Sequence, residues 1–182
     1  MQRRTFFLIA SIFAFCVCAS SLSFAASKAE IDAKVSEALS IFYEKTSAGK
    51  ILADNAAGVL VFPEVYKAGF GVGGEYGEGA LIIGGKIIDY YNIAAASIGL
   101  QLGAQVKSQV ILFMNKKVLS EFRNSAGWKA GVDGSVAIAT LGAGGEIDTN
   151  TIKNPIIGFI FSNKGLMYNL TLEGSKITKI KD

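Results

Sequence analysis

From residue 58 onward the chain is a series of short apolar segments separated by glycine, and this pattern limits the possible folds most strongly. The segment 58–63 ends in Pro63, and the segment 80–83 has glycine on either side. Apolar runs with such boundaries are typical of buried strands. Further candidate strands are 90–96, 109–114, 134–139, 156–161 and 166–172, with 175–182 as a final edge strand. Strands at such short spacing predict an antiparallel sandwich or a closed barrel.

Glycine and alanine are dense inside these segments, as in 94–99 and 131–145. Small residues within strands mark bends, bulges or a close approach of two backbones. We therefore predict an α+β fold that is mostly β, in which a strongly curved antiparallel sheet forms a sandwich-like or barrel-like structure.

Two helices are predicted beside this sheet. Ser27 and Glu30 form a capping box, which starts an amphipathic helix running to about Ser47, before Gly49 interrupts it. Glutamates at positions 30, 37 and 44 make the outer face of this helix acidic. Its apolar stripe consists of Ile31, Val35, Ala38, Leu39, Phe42 and Thr46. Asn115 caps a second, short helix at 116–123, whose apolar face carries Val118, Leu119 and Phe122.

The N-terminal segment has the pattern of an export signal. Arg3 and Arg4 precede an apolar stretch at 6–17, and the small residues Ser23 and Ala25 stand where a signal peptidase cleaves. We predict that residues 1–25 are a cleaved signal peptide and that 26–182 form a single domain. The export route, general or twin-arginine, stays open. The predicted location is the periplasm or the cell envelope.

Several function classes are excluded by composition. The chain has no histidine, and its two cysteines, Cys16 and Cys18, lie in the predicted signal peptide. Without Arg3 and Arg4 the 18 basic residues become 16, against 15 acidic ones, so no basic excess favours nucleic acid as a partner. We predict no catalytic residue, no cofactor and no metal site, and expect a protein that acts by binding.

Two patterns resemble functional motifs but lack the required context. Residues 69–74 spell G-x-G-x-x-G, yet a dinucleotide site needs a helix next, and a glycine-rich segment with Glu75 and Glu78 follows instead. Acidic side chains also form no clear catalytic pair or calcium loop. We expect turn or solvent-exposed positions for Glu75, Glu78, Asp133, Glu146 and Asp148.

The order of several motifs resembles the SYLF domain, a lipid-binding family. The segment 59–79, VLVFPEVYKAGFGVGGEYGEG, is followed by SIGLQLGAQ at 97–105 and ILFMN at 111–115. GWKAGVD at 127–133, KGL at 164–166 and LEGS at 172–175 complete the pattern, which spans roughly residues 30 to 180. The resemblance implies a phospholipid-binding domain. Some eukaryotic members also bind actin, which is not an expected partner of an exported bacterial protein.

The resulting prediction is a non-enzymatic domain that binds phospholipid headgroups or an anionic membrane surface. The alternatives are an eight-stranded outer-membrane β-barrel and a structural envelope protein that binds a protein partner. Lys34 and Lys45 flank the apolar stripe of the first helix. Lys67 and Lys129 occupy equivalent places in two Lys-Ala-Gly repeats, each followed by a glycine-rich segment. These four lysines are the predicted headgroup-binding residues.

Overall fold

The computed structural model describes residues 27–140, 153–165, 172 and 174–181. The predicted signal peptide therefore lies outside the described residues. The fold is mostly β, with a strongly curled mixed sheet that forms a half-barrel, together with a few helices. The helices are α1 (Lys28–Lys45), α2 (Ser47–Asn55) and α3 (Lys116–Asn124). The strands are β1 (Gly58–Ile83), β2 (Lys86–Phe113), β3 (Trp128–Lys129), β4 (Ala137–Thr140), β5 (Ile156–Gly165) and β6 (Lys176–Lys179).

Two very long antiparallel strands form the framework of the sheet. β1 has 26 residues and β2 has 28, and they pair from Gly58–Phe113 at one end to Ile83–Lys86 at the other. The predicted segments 58–63 and 80–83 are thus the two ends of one strand, and 90–96 and 109–114 both belong to the next. Gly84 and Gly85 connect the strands with φ angles of 57° and 76°, which a two-residue hairpin turn of this hand requires.

The long hairpin bends back on itself, which confirms the predicted curvature. The register between β1 and β2 shifts three times, at Phe62/Val65, Phe70/Val72 and Leu81/Ile82. Near the middle of β1, Gly71 has a φ of 70°. A Cβ atom on Gly79 would lie 2.0 Å from the carbonyl oxygen of Val61, so the two ends of β1 approach closely on the concave side. Only glycine permits this approach.

The remaining strands extend the sheet on the far side of β2. β5 pairs antiparallel with the C-terminal half of β2, and β6 pairs with its N-terminal half. The all-antiparallel prediction is wrong for β4, which runs parallel to β5. A parallel pair needs a connection of a dozen or more residues, and the chain has this length between the end of β4 at Thr140 and the start of β5 at Ile156. The predicted strand at 134–139 overlaps β4, which covers only Ala137–Thr140, and the one at 166–172 lies outside the described residues except for the buried Leu172.

The C-terminal segment was predicted as an edge strand, and this prediction is wrong. β6 lies between β2 and the two-residue strand β3, with Ile177 opposite both Ile93 and Trp128. The buried side chain of Ile177 explains this position, because it belongs to the apolar core of the concave face.

The N-terminal helical region is two helices rather than one. The Ser27 hydroxyl accepts from the Glu30 amide at 3.2 Å, as the capping box predicts. α1 ends at Lys45 because Thr46 has an extended backbone and caps the next helix, accepting from the Gly49 amide at 3.1 Å. Gly49 does not interrupt a helix but lies buried within α2, where a Cβ would come within 2.6 Å of the Phe42 ring.

Apolar clusters fill both faces of the sheet. On the convex face, α1 buries Ile31, Val35, Ala38 and Phe42 against β1, β2 and β5. On the concave face, α3 inserts Leu119 and Phe122 among Leu60, Phe62 and Phe113. As predicted, the Asn115 side chain caps α3 by accepting from the Val118 amide at 3.1 Å.

Candidate functional site

The bent middle of the hairpin presents an uncovered apolar surface on its convex side. Phe70 and Val72 are 79% and 67% exposed, and Tyr66 and Tyr76 on either side of them are 53% and 48% exposed. Exposed alanines of both strands continue the surface. We name it the apolar tip; it consists of Tyr66, Ala68, Phe70, Val72, Tyr76, Ala94, Ala96 and Ala104.

The apolar tip begins where the cover provided by α1 ends. Glu64 marks this border, because it accepts hydrogen bonds from Lys34 of α1 at 2.9 Å and from the Tyr66 hydroxyl at 3.0 Å. Beyond Tyr66, the described outward-facing side chains of the same convex face are exposed. A contiguous exposed apolar surface with polar residues at its border is a mark of a membrane or protein contact.

The concave side of the same region carries polar side chains instead. We name this set the polar row; it consists of Lys67, Glu75, Gln105, Lys107 and Gln109, all of them buried. Period-two alternation places them opposite the residues of the apolar tip. Among the described residues, both amide atoms of Gln109 lack a hydrogen-bond partner. Polar groups inside and apolar groups outside are the reverse of the usual arrangement in water.

A buried ion pair lies at the centre of the polar row. The Lys107 ammonium is 3.1 Å from the Glu75 carboxylate, and their side chains are 0% and 4% exposed. Lys107 pairs across the sheet with Val65, and Glu75 pairs with Ala95, so the contact joins the two halves of the bent hairpin. Burial lowers the pKa of Lys107, Glu75 counteracts this shift, and Lys67 adds to it.

The glycine-rich segment 69–74 lies in β1, at the bend. No helix follows it, because β1 continues to Ile83. The segment therefore lacks the helix N-terminus that a dinucleotide site requires. Its glycines serve the bend: a Cβ on Gly69 would lie 2.7 Å from the Gly73 backbone. This glycine-rich segment is therefore part of a strand.

The structure does not bring the four predicted lysines together. Lys34 lies on α1 within 2.9 Å of both Glu30 and Glu64, which together raise its pKa above the ordinary value. Lys45 is exposed in the last turn of α1. Lys67 is buried in the polar row, and Lys129 is exposed on β3. The lysines thus occupy three separate parts of the fold.

The acidic residues have varied surroundings. Glu75 is buried, contrary to the expectation of a turn or solvent position, because Lys107 balances its charge inside the sheet. Glu78 accepts from the Tyr76 hydroxyl at 2.7 Å, and Asp133 accepts from the Lys129 amide at 2.6 Å in a turn. Glu146 and Asp148 lie outside the described residues. Within the described ranges, no group of three acidic or cysteine side chains is placed to hold a metal ion.

Sequence reasoning missed the apolar tip, although a signal for it exists. Residues 90–106 contain no charged side chain, and between residues 66 and 76 the only charges are Lys67 and Glu75. Both of these occupy inward positions of the alternating pattern. An uncharged strand paired with a strand whose charges all fall on one face is the pattern that marks this surface.

Comparison with protein families identifies the C-terminal half of the chain. Residues 94–182 match the family model described as Ysc84, Las17-binding protein actin regulator. This match is consistent with the resemblance to the SYLF domain family. The SYLF family is associated with lipid binding and with actin regulation. The matched residues include β2 from Ala94 onward, and with it one strand of the apolar tip. The comparison with curated proteins gives no match.

The helices of the described part of the chain are α1, α2 and α3. None of these helices combines the length and the apolar character needed to cross a membrane.

Proposed function

We propose that this SYLF domain binds phospholipid membrane surfaces by inserting the apolar tip into the headgroup region. The observation that carries the proposal is the inverted polarity of the bent hairpin, with Phe70 and Val72 outside and the Lys107–Glu75 pair inside. Exposure of apolar side chains to water costs free energy, and their transfer into an apolar medium is favourable. The family association with lipid supports the same partner.

The chemistry of the border residues supports an interfacial position. Tyr66 and Tyr76 flank the most exposed residues, and their hydroxyls bond to Glu64 and Glu78. Tyrosine is enriched at membrane interfaces because its ring is apolar while its hydroxyl stays hydrated. Burial raises the pKa of Tyr76 to about 12, and Glu78 adds to the shift, so this ring stays neutral near pH 7.

The proposed function is binding without catalysis, in an exported protein. The chain has no histidine, and its N-terminal segment has the charge and apolar pattern of an export signal. We therefore assign the protein to the periplasm or the envelope, with phospholipid as its partner. Any contribution of Lys34, Lys45 or Lys129 to headgroup binding would come from outside the apolar tip.

Vesicle co-sedimentation with a matched pair of variants tests the proposal. The tip variant is Phe70→Ser/Val72→Ser, and the control is Ile88→Ser/Val132→Ser, which also removes two exposed apolar side chains. Full burial of such a side chain is worth about 1.5–3 kcal/mol. If the two side chains are only partly buried in the headgroup region, the tip variant loses about 2 kcal/mol of the free energy of vesicle binding. This loss corresponds to a roughly 30-fold lower affinity.

The vesicles contain phosphatidylethanolamine and phosphatidylglycerol, and a thermal melt accompanies each variant. We expect the tip variant to melt like the wild type, because the replaced side chains are solvent-exposed, and to lose vesicle binding. The control should retain both. Equal vesicle binding by the two variants would contradict the proposal and favour a protein partner for the apolar tip.

A further inference from the structure

A second candidate site lies near the turn that connects β1 and β2, between α3 and β6. It is an open groove of about 390 Å³. One face of α3 and one residue of β6 line it, namely Lys116, Leu119, Ser120, Arg123, Asn124 and Lys179. Positions 116, 120 and 123 lie on the same side of a helix, so the cationic and hydroxyl groups follow one line. We name this site the basic groove.

The basic groove has an excess of positive charge. Asp89 of β2 accepts from Arg123 at 3.2 Å and lies 2.5 Å from the Lys179 ammonium. Its side chain is 11% exposed, so it fixes both cations from beneath the surface. Lys116 contacts no carboxylate in the part of the chain that the structure describes. Among the described residues, three cations thus accompany one carboxylate, which is an excess of two positive charges.

The first turn of α3 increases this positive potential. Lys116 and Lys117 begin the helix, and its first turn has no acidic residue. The N-terminus of a helix carries a partial positive charge, so cations are unfavourable there. α1 shows the usual arrangement, with Glu30 in its first turn. A negatively charged ligand in the basic groove would offset the repulsion in α3.

Neutral hydrogen-bonding groups complete the site. Ser120 and Asn124 lie one turn apart on α3, and the Asn124 amide donates to the Ser120 hydroxyl at 3.3 Å. Guanidinium, ammonium and hydroxyl groups together are the donors that bind phosphate oxygens. Leu119, which is largely buried, forms the floor of the groove.

We infer that the basic groove binds a phosphate-bearing anion. The site is separate from the most exposed part of the apolar tip, Phe70 and Val72: Lys179 pairs with Tyr91 of β2, whereas Val72 pairs with Ile98. Seven residues of strand separate these positions, or about 23 Å at ~3.3 Å per residue. The inference therefore does not depend on insertion of the apolar tip.

Two probes and two charge-matched variants test this site. The probes are inorganic pyrophosphate, measured by calorimetry, and phosphatidylcholine vesicles with or without phosphatidylglycerol, measured by co-sedimentation. The groove variant is Lys116→Gln/Arg123→Gln. The control, Lys86→Gln/Lys153→Gln, removes two exposed cations that do not line the groove. Thermal melts establish that all proteins are folded.

We expect saturable pyrophosphate binding that weakens at least about tenfold in the groove variant and less than about threefold in the control. If pyrophosphate does not bind but the groove variant alone loses its preference for phosphatidylglycerol, the inference also holds, with a lipid headgroup as the source of the phosphate. If the two variants behave alike with both probes, general electrostatics explain any binding and the inference is wrong. The tip variant should retain pyrophosphate binding, which separates this result from the proposed function.

Discussion

Replacing Glu75 by glutamine removes the carboxylate that balances Lys107 inside the half-barrel. The two groups are 3.1 Å apart with side chains that are 0% and 4% exposed, so solvent cannot take the place of the lost partner. Removing one partner of such a pair costs about 3–5 kcal/mol. For a domain of this size each kcal/mol lowers Tm by about 2–4 °C, so Glu75→Gln should lower Tm by roughly 6–20 °C.

Chemical denaturation of a double-mutant cycle isolates this interaction. The cycle consists of Glu75→Gln, Lys107→Met and the two combined, and the combined variant should be more stable than the sum of the single losses predicts. Asp54→Asn is the control, because its partner Lys50 is exposed and the pair is within one helix. If Glu75→Gln is as stable as this control, the buried ion pair does not hold the hairpin together. Should Glu75→Gln fail to fold, Glu75→Leu/Lys107→Met keeps the test measurable, since apolar replacement of a buried pair is often neutral.

The same pair predicts a pH dependence with a defined sign. Burial lowers the pKa of Lys107 in the folded protein, while the unfolded chain keeps the ordinary value. Between these two pKa values the unfolded state binds more protons, so this group makes stability rise with pH across that window. The Tm difference between wild type and Lys107→Met should therefore change in favour of the wild type as the solution becomes alkaline. A difference that is constant or moves the other way refutes the assignment.

Three further substitutions test how the fold is built, each measured by the shift in Tm. Gly79→Ala places a Cβ 2.0 Å from the Val61 oxygen and should cost about 3 kcal/mol, as overpacking does. Gly74→Ala, in the same strand, has nothing closer than 4.0 Å and should be tolerated; equal losses would show that the bend does not depend on close approach. Asn115→Ala removes the cap that accepts from Val118 and should cost about 1 kcal/mol, and no change in Tm would mean that solvent caps α3 as well.

Local signals in the sequence predicted the helices well because caps and apolar stripes act within a few residues. The Ser27 and Asn115 caps and the buried faces of α1 and α3 follow this rule. The prediction that Gly49 interrupts a helix is wrong, since glycine also occurs where a Cβ would collide with another side chain. Only the packing of Phe42 against Gly49 distinguishes a glycine that interrupts a helix from one that leaves room for a neighbouring side chain.

Long-range features were less predictable. Short apolar segments separated by glycine suggested many short strands, but the glycines between them lie inside β1, where they permit bending without ending the strand. Strand order cannot be predicted from a single sequence either. The parallel pairing of β4 and the inner position of β6 are therefore known only from the structure.

The candidate site shows the same division between local and distant information. Lysines were chosen because charge is visible in a sequence, yet the burial of Lys67 depends on which face of the hairpin turns inward. The apolar tip emerges only when alternation on two bent strands is combined with the position of α1, which covers the ends of the hairpin and leaves its middle open.

The depth of the apolar tip in a bilayer tests the central claim most directly. Phe70→Trp places an indole at the most exposed apolar position, whereas the native Trp128 is buried in the core and gives a constant background. Val132→Trp is the control, because Val132 is 74% exposed and lies in a turn outside the tip. With brominated phospholipid vesicles, we predict a blue shift and strong quenching for the tryptophan at position 70 and neither for the one at position 132. If the vesicles shift and quench the emission of both variants to the same extent, or of neither variant, membrane insertion of the tip is contradicted.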